Sequence, residues 1–282
     1  MYQRARRTRT PARRFNGGRI LIAVAVAAFA LFSYFGSREF NPITEEDQYV
    51  GITPDQEIAL GLQAAPEMAA QFGGLHPDQR AQDYLESVCR RLIENSDAGQ
   101  AEWPYSCSLL EDEQTINAFA LPGGQLFITA GLLNELQTEG QLAGIMAHEI
   151  GHAVARHSAQ QIAKQQLTQG LTGAVVIASY DPQNPGSQAT GQIAAVVGQL
   201  VNMRYSREHE LESDRLGVRF MTQAGYDPRK LIDVMRILAE SGGGAAQPEF
   251  FSTHPNPENR VAAIEAAIEA EFPNGVPEGL DP

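Results

Sequence analysis

The segment from 148 to 152 constrains this chain more than any other, because it places two histidines and a glutamate in the pattern H-E-x-x-H. Four residues of an α-helix turn by about 400°, so His148 and His152 lie on one face, one turn apart. This geometry suits a metal ion held by both imidazoles. Glu149 projects about 100° away from His148, so its carboxylate flanks the ion and can act as a general base toward water.

Apolar residues surround this segment on both sides, from Leu142 to Ala147 before it and from Ala153 to Ala155 after it. A helix that is apolar over most of its circumference is normally buried. Two histidines and a glutamate at its centre would cost several kcal/mol unless they were paired or bound to a metal. The flanking residues therefore favour a metal site over a solvated helix face.

A third protein ligand has to come from further along the chain, since catalytic zinc usually takes three. The extended pattern H-E-x-x-H-x-x-G-x-x-H supplies this ligand as a third histidine. The chain does not match it, because Ala155 and Ser158 stand where the Gly and the third His belong. Downstream, Glu210 and Asp214 are four residues apart and share a helical face. Glu210 can bind zinc, while Asp214 can orient a ligand histidine.

Three motifs follow one another in this chain: HEIGHAVARH at 148–157, YSREHELESD at 205–214 and THPNPENR at 253–260. Over about residues 45 to 265 the chain resembles the family of zinc metallopeptidases that includes HtpX, the CAAX prenyl proteases, BepA and LoiP. Three ordered motifs are far more specific than one. The resemblance implies a zinc metalloendopeptidase with one Zn²⁺ per chain.

The resemblance also implies a fold and a ligand set. The expected fold class is α+β and predominantly α, a zincin-like domain with a small β-hairpin at its cleft and one transmembrane helix before it. Glu210 is implied as the third zinc ligand. By the same correspondence, Glu208 and Glu212 are not ligands.

A β-hairpin is predicted between residues 117 and 129, where two apolar strands flank a Pro-Gly-Gly turn. The resemblance implies that this hairpin borders the cleft, where an extended substrate can pair with its edge strand through main-chain hydrogen bonds. Asn117, Ala118 and Phe119 are therefore the candidate substrate-binding residues. A hairpin that only caps the core is compatible with the same sequence.

His254 is followed by Pro255, which disfavours helical backbone at the preceding residue. It therefore lies on an extended corner before a closing helix, predicted from Asn256 to Glu271. The resemblance places His254 near the cleft as a catalytic residue, with two roles open. It either donates a hydrogen bond to the tetrahedral oxyanion or occupies the open zinc position in a resting state. The resting-state role is favoured, because a protease among membrane proteins needs one.

Cys89 and Cys107 are the only two cysteines. Helical spacing predicts a core-facing helix from Gln79 to Asn95, and alternation around Cys107 predicts a strand, so both thiols face inward. Two buried thiols and one disulfide are both compatible with this pattern, and a metal site at this pair is disfavoured.

The segment between 39 and 80 is expected to form an acidic linker followed by short helical pieces, with Pro42, Pro54, Pro66 and Pro77 as breaks. A helical hairpin is expected over residues 167–203.

Seven arginines and no acidic residue precede Ile20 to Ser37, a charge-free apolar segment at the lower limit for a membrane span. We expect a basic tail and signal anchor over residues 1–38. A metallopeptidase domain over 39–282 would then face the periplasm from the cytoplasmic (inner) membrane, as a single-pass protein. Cleavage after Ala30, which would release a secreted protein, and a mitochondrial presequence leading to the inner membrane are the alternatives. Bulky residues after Ala30 favour the anchor.

At 282 residues, the chain is long enough for one sizeable core. The net charge is −13 although the first 19 residues are purely basic, so the remainder is strongly acidic and nucleic acid is excluded as a partner.

We expect a membrane-tethered zinc endopeptidase that cleaves unfolded or misassembled envelope proteins in quality control. A non-catalytic, metal-containing chaperone or assembly module is the alternative, but a structural metal has no use for Glu149. The oligomeric state stays open.

Overall fold

A computed structural model describes residues 17–179, 205–241, 248–255 and 259–282. Helices dominate it, together with one two-stranded and one three-stranded sheet. The predicted class, α+β and predominantly α, is confirmed. Residues 1–16 of the basic tail, residues 180–203 of the expected helical hairpin and the first residues of the expected closing helix lie outside the described ranges.

The N-terminal part is an apolar helix followed by a small hairpin. Helix α1 (Gly17–Gly36) leads into β1 (Arg38–Asn41) and β2 (Glu46–Tyr49), which pair antiparallel. The expectation of a linker here was wrong. The side chain of Asn41 closes the turn by accepting from the amides of Ile43 and Thr44, and it donates to the carbonyl of Val154. These short polar strands are held by a tertiary contact that the local pattern does not reveal.

Helix α2 (Pro54–Gln71) begins at a capping box. The hydroxyl of Thr53 accepts from the amide of Gln56, and the side chain of Gln56 accepts from the amide of Thr53. The expectation that Pro66 breaks this segment was wrong, because α2 continues through it. A proline inside a helix removes one backbone hydrogen bond. That loss is offset by burial of the α2 face that carries Ala64 and Met68, next to the apolar side chains of the central sheet.

The helix predicted from residue 79 is confirmed as α3 (Gln79–Glu94), with Leu85, Val88, Cys89 and Leu92 buried. A short 3₁₀ helix (Asp97–Gln100) follows, and then β3 (Ser106–Leu110). Cys89 of α3 and Cys107 of β3 form a disulfide. The pair fastens the helix layer to one edge of the central sheet.

The predicted hairpin is present as β4 (Ala118–Leu121) and β5 (Gln125–Thr129). Both glycines of its turn have positive φ angles, and a Cβ at Gly123 would lie 2.6 Å from the Cα of Ile58. The sheet order is β3-β5-β4, with β3 parallel to β5. Strand β4 is therefore an edge strand of this sheet.

Helices α4 (Ala130–Glu135), α5 (Glu139–Val154) and α6 (His157–Ser179) follow the sheet. The side chain of Thr138 caps α5 by accepting from the amide of Gln141. Every residue of α5 from Gly140 to Val154 is buried, as its apolar composition predicts. The helix that carries H-E-x-x-H thus runs through the centre of the core.

The described residues after 204 form four further helices. They are α7 (Arg207–Gln223), α8 (Lys230–Ser241), the single turn α9 (Phe250–Thr253) and α10 (Arg260–Glu271). Helix α7 packs along α5, and α10 packs along α7. The residues predicted to face inward on α8, from Leu231 to Leu238, are buried.

Two glycines allow the close approach of α5 and α7. A Cβ on Gly151 of α5 would lie 3.0 Å from the carbonyl oxygen of Ser213, and one on Gly217 of α7 would lie 3.3 Å from the amide nitrogen of His148. Contacts this short would push the helices apart. The crossing therefore brings the H-E-x-x-H face and the Glu210–Asp214 face together.

Candidate metal centre

Four buried side chains converge where α5 meets α7 and α9. The ligand atoms of His148, His152, Glu210 and His254 all lie within 4.8 Å of one another. The Nε2 atoms of His148 and His152 are 3.1 Å apart, and they lie 3.6 and 3.4 Å from the two carboxylate oxygens of Glu210. The three ligands predicted from sequence are thus brought together, with His254 as a fourth.

These residues fit a zinc ion. Two atoms bound to one tetrahedral zinc at about 2.0–2.2 Å lie roughly 3.5 Å apart, close to the spacings in this cluster. Among the described residues, Oε1 of Glu210 and Nε2 of His254 are buried without a hydrogen-bond partner, whereas Oε2 of Glu210 is paired with Arg260. Buried polar atoms of a native protein are rarely left unpaired, so such orphans point to an absent partner. A cation satisfies all of them at once.

The charge balance also fits a dication. Glu149, Glu210 and Asp214 place three buried carboxyl groups in this region, and among the described residues of the cluster they face one guanidinium, that of Arg260. Burial raises the pKa of Glu210 well above its usual value, although the charge of Arg260 opposes the shift. A divalent cation would favour the ionised carboxylates that it binds.

Glu149 faces the cluster without belonging to it. Both of its carboxylate oxygens are buried and accept from no side chain among the described residues, and Oε1 lies 3.5 Å from Nε2 of His254. Burial raises the pKa of Glu149 to about 8, a shift that the charge of His148 partly offsets. A bound dication would lower this pKa again, and the ionised carboxylate could then accept a proton from water.

Asp214 contacts His148 on the side away from the cluster. Its Oδ1 lies 2.9 Å from Nδ1 of His148, so Nδ1 carries the proton and Nε2 of His148 has a lone pair for the metal position. Burial alone would raise the pKa of Asp214, but the charge of Arg260 and hydrogen bonds from His148 and Arg260 hold that pKa below its usual value. Asp214 is therefore a charged acceptor that fixes the orientation of the His148 ring.

Arg260, the first residue of α10, ties the two acidic groups together. Its guanidinium donates to both oxygens of Asp214, at 2.7 and 2.9 Å, and its NH1 atom lies 3.0 Å from Glu210. The residue is 1% exposed. Sequence reasoning noted an arginine in the third motif but gave it no role, and only its burial reveals the contact.

His254 has a backbone that is not helical (φ −111°, ψ 87°), as Pro255 requires. Its Nδ1 atom lies 2.9 Å from the hydroxyl of Thr253 and 3.3 Å from the carbonyl oxygen of Phe250. The hydroxyl of Thr253 donates to the same carbonyl, so it can accept from Nδ1. A carbonyl only accepts, so Nδ1 carries the proton and Nε2 presents a lone pair to the cluster. Burial also lowers the pKa of His254 well below its usual value, which keeps the ring neutral.

The rings around His152 form a layer that sequence reasoning missed. Tyr205 stacks on His152 with ring centres 3.9 Å apart, and His157 brings its Nδ1 to 2.9 Å from Nδ1 of His152. His157 stands five residues after His152, at the first position of α6. The sequence held one indication of this layer, because His157 is a third histidine in the mainly apolar stretch after His152.

A cleft borders the cluster along the edge strand β4. It encloses about 90 Å³ and is lined by apolar groups together with His254, Tyr205 and Asn117; the apolar lining includes Met68, Phe72, Phe119 and Leu121. Oδ1 of Asn117 is buried without a partner. The side chain of Ala118 faces the hydrophobic core instead.

Comparison with known proteins agrees with this geometry. The model of the family described as "Peptidase family M48" matches residues 79–268, which include every member of the cluster. Members of this family are zinc-dependent metallopeptidases. The chain is similar to the beta-barrel assembly-enhancing protease of Escherichia coli (strain K12), with 28% identity over 251 residues, which cover 86% of this chain and 50% of that protein.

Mitochondrial proteins are similar as well. The mitochondrial metalloendopeptidase OMA1 of Schizosaccharomyces pombe is 30% identical over 242 residues, which cover 82% of this chain and 67% of that protein. The human protein named "Metalloendopeptidase OMA1, mitochondrial" is 28% identical over 252 residues, covering 85% and 47%. The chain spans about half the length of the first of these relatives. With a family model that covers most of the chain and a site that holds the corresponding ligands, this chain belongs to peptidase family M48.

Proposed function

We propose that this chain is a membrane-tethered zinc endopeptidase that cleaves unfolded or misassembled proteins of the cell envelope. The observation that carries the proposal is the position of Glu149, a buried carboxyl group that accepts from no side chain among the described residues, beside a cluster of four side chains that could hold a metal ion. A purely structural metal site needs four protein ligands and no base. The unpaired carboxyl group favours catalysis over the alternative of a metal-containing assembly module.

His148, His152 and Glu210 would hold the zinc ion. When bound, zinc polarises the scissile carbonyl group and lowers the pKa of water. Glu149 accepts a proton from the attacking water and returns it to the leaving amine. Asp214 and Arg260 keep His148 and Glu210 oriented through the whole cycle, because their contacts with these ligands lie behind the cluster.

The substrate would bind along β4 in an extended conformation. Strand β4 is an edge strand, and its residues Phe119 and Leu121 line the cleft beside His254. Main-chain pairing with an edge strand recognises backbone more than side chains. Such recognition requires an unfolded segment, which supports unfolded or misassembled proteins as the substrate class. Asn117 would contribute its unpaired amide oxygen.

The membrane tether would be α1. This 20-residue helix has a mean hydropathy of 2.0 and is long and apolar enough to cross a bilayer. Large apolar side chains on it are exposed, among them Leu21, Phe29 and Phe32. The arginines before α1 favour a cytoplasmic N-terminus and a periplasmic peptidase domain.

Protease added outside the cytoplasmic membrane should then digest the domain, and the mature N-terminus should still contain Arg4. A mature chain that starts near Leu31 would replace the tether with a cleaved signal peptide, and mitochondrial import would point to the inner mitochondrial membrane.

Casein hydrolysis by the purified full-length chain tests the catalytic proposal. Glu149→Gln should abolish hydrolysis while about one zinc per chain remains, whereas Glu210→Gln should lose zinc as well. Glu208→Gln, on the exposed side of α7, is the matched control and should change neither. Hydrolysis that persists in Glu149→Gln overturns the mechanism, and a wild-type protein that binds zinc without cleaving any unfolded substrate would favour the assembly module.

A further inference from the structure

The two ligand histidines of α5 have different partners behind them. His148 contacts the carboxylate of Asp214 directly. Among the described residues, Nδ1 of His152 has no carboxylate partner, and it lies 2.9 Å from another imidazole, that of His157. A ligand histidine normally donates its second ring N–H to an acceptor, which fixes its tautomer. The second contact of His157 therefore decides which ring nitrogen of His152 carries the proton.

His157 makes a second contact, to Glu212 on α7. Its Nε2 atom lies 3.1 Å from Oε2 of Glu212. A carboxylate only accepts, so Nε2 of His157 carries the proton and its Nδ1 is an acceptor. Nδ1 of His152 must then be the donor in the 2.9 Å contact, and Nε2 of His152 is left with a lone pair. The hydroxyl of Ser213, 3.3 Å from Nδ1 of His157, can only donate to that same acceptor and agrees with this assignment.

Ring stacking holds this chain of contacts in place. His157 is fully buried and stacks on His209 with ring centres 4.2 Å apart and planes 13° apart. Tyr205 stacks on His152 in the same way. With their ring planes fixed, neither imidazole can exchange its two nitrogens by rotation without breaking a stack.

We propose that Glu212 and His157 are positioning residues that set the tautomer of His152 and direct its Nε2 lone pair at the metal. This inference rests on the proposed zinc site and deepens it. It gives a role to Glu212, which is not a ligand, and to His157, whose position in the first motif had no assigned use. His148 and His152 would thus be oriented by two independent devices, a direct carboxylate and a carboxylate acting through an imidazole.

The zinc affinity of the full-length chain in detergent, measured by competition with a chromophoric chelator, tests the proposal. Glu212→Leu and His157→Leu should each weaken zinc binding by about 10 to 100-fold, the range typical of changes behind a metal ligand. Glu212→Gln keeps an oxygen that accepts from His157 and should stay within about threefold of wild type. Glu208→Leu, an exposed control two residues before Glu210 and about 200° around α7 from it, should have wild-type affinity.

A second measurement separates positioning from general stability. In zinc-free protein labelled with ¹⁵N-histidine, His152 should carry its proton on Nδ1 in the wild type and in Glu212→Gln, and should become a tautomeric mixture in Glu212→Leu. A lower melting temperature with unchanged tautomer and unchanged affinity would overturn the proposal. If the wild type binds no zinc, the proposed function fails, and the tautomer of His152 still decides the role of Glu212 and His157.

Discussion

Nε2 of His254 lies 3.5 Å from Oε1 of Glu149, and it also belongs to the set of four ligand atoms around the metal position. The proton on its other nitrogen is directed at the carbonyl of Phe250, so Nε2 is a lone-pair donor. A hydrogen-bond donor to an oxyanion would need a proton on Nε2. Of the two roles open from sequence, the tautomer favours the fourth ligand of a resting state.

His254→Ala should therefore speed casein hydrolysis without loss of zinc, because the position that water and substrate need would no longer be contested. Ser252→Ala, an exposed neighbour in the same turn, is the control and should leave the rate unchanged. The check is the turnover rate at a fixed zinc content of about one per chain. A decrease of about 10² to 10³ would instead assign His254 to oxyanion stabilisation.

Asp214→Asn should weaken zinc binding by roughly 10 to 100-fold, since the neutral amide holds the proton of His148 less strongly and leaves Arg260 without its charged partner. Chelator competition measures the change. Asp233→Asn, on the partly exposed face of α8, should bind zinc like the wild type. Wild-type affinity in Asp214→Asn would contradict the role assigned to this carboxylate.

Replacing both Cys89 and Cys107 by serine should lower the free energy of unfolding by about 3 kcal/mol, the loss expected for a loop that spans 18 residues. Urea denaturation of the zinc-free chain measures it. Alkylation of the native protein should label no thiol before reduction and two after it. Two reactive thiols in the unreduced protein would remove the disulfide.

Glu57 provides a pH-dependent prediction. Burial raises its pKa to about 7, an increase that the charge of Arg156 only partly offsets. The folded chain therefore takes up a proton before the unfolded chain does as the pH falls from 7 to 4.5, so this group makes the folded state relatively more stable at the lower pH and less stable above 7. Between pH 8 and pH 5, zinc-free wild type should gain roughly 2–3 kcal/mol relative to Glu57→Gln. If the free energy of unfolding changed with pH in the same way for both proteins, Glu57 would not titrate in this range.

Helical periodicity in the sequence was enough to predict the parts of the site that lie on a single helix. The spacing of His148, Glu149 and His152 defines their directions as soon as the segment is helical, and an apolar context makes that helix a buried one. The same reasoning put Glu210 and Asp214 on one face of a second helix. The hairpin at β4 and β5 was predicted with equal ease, because its turn needs glycines at fixed places.

Only the tertiary structure decided which side chains meet behind the ligands. Arg260 comes to Asp214 because α10 packs along α7, and His157 reaches both His152 and Glu212 because α5 and α7 approach through Gly151 and Gly217. Neither contact has a local period, since the partners are 46 and 55 residues apart in the chain. Which side chains are buried, and which atoms they hydrogen-bond to, depends on how the helices cross. A sequence pattern gives the direction of a side chain around its own helix axis, but not the distance between two helix axes. The clustered side chains and Asp214 were therefore predictable from the sequence, and the contacts of Arg260 and His157 were not.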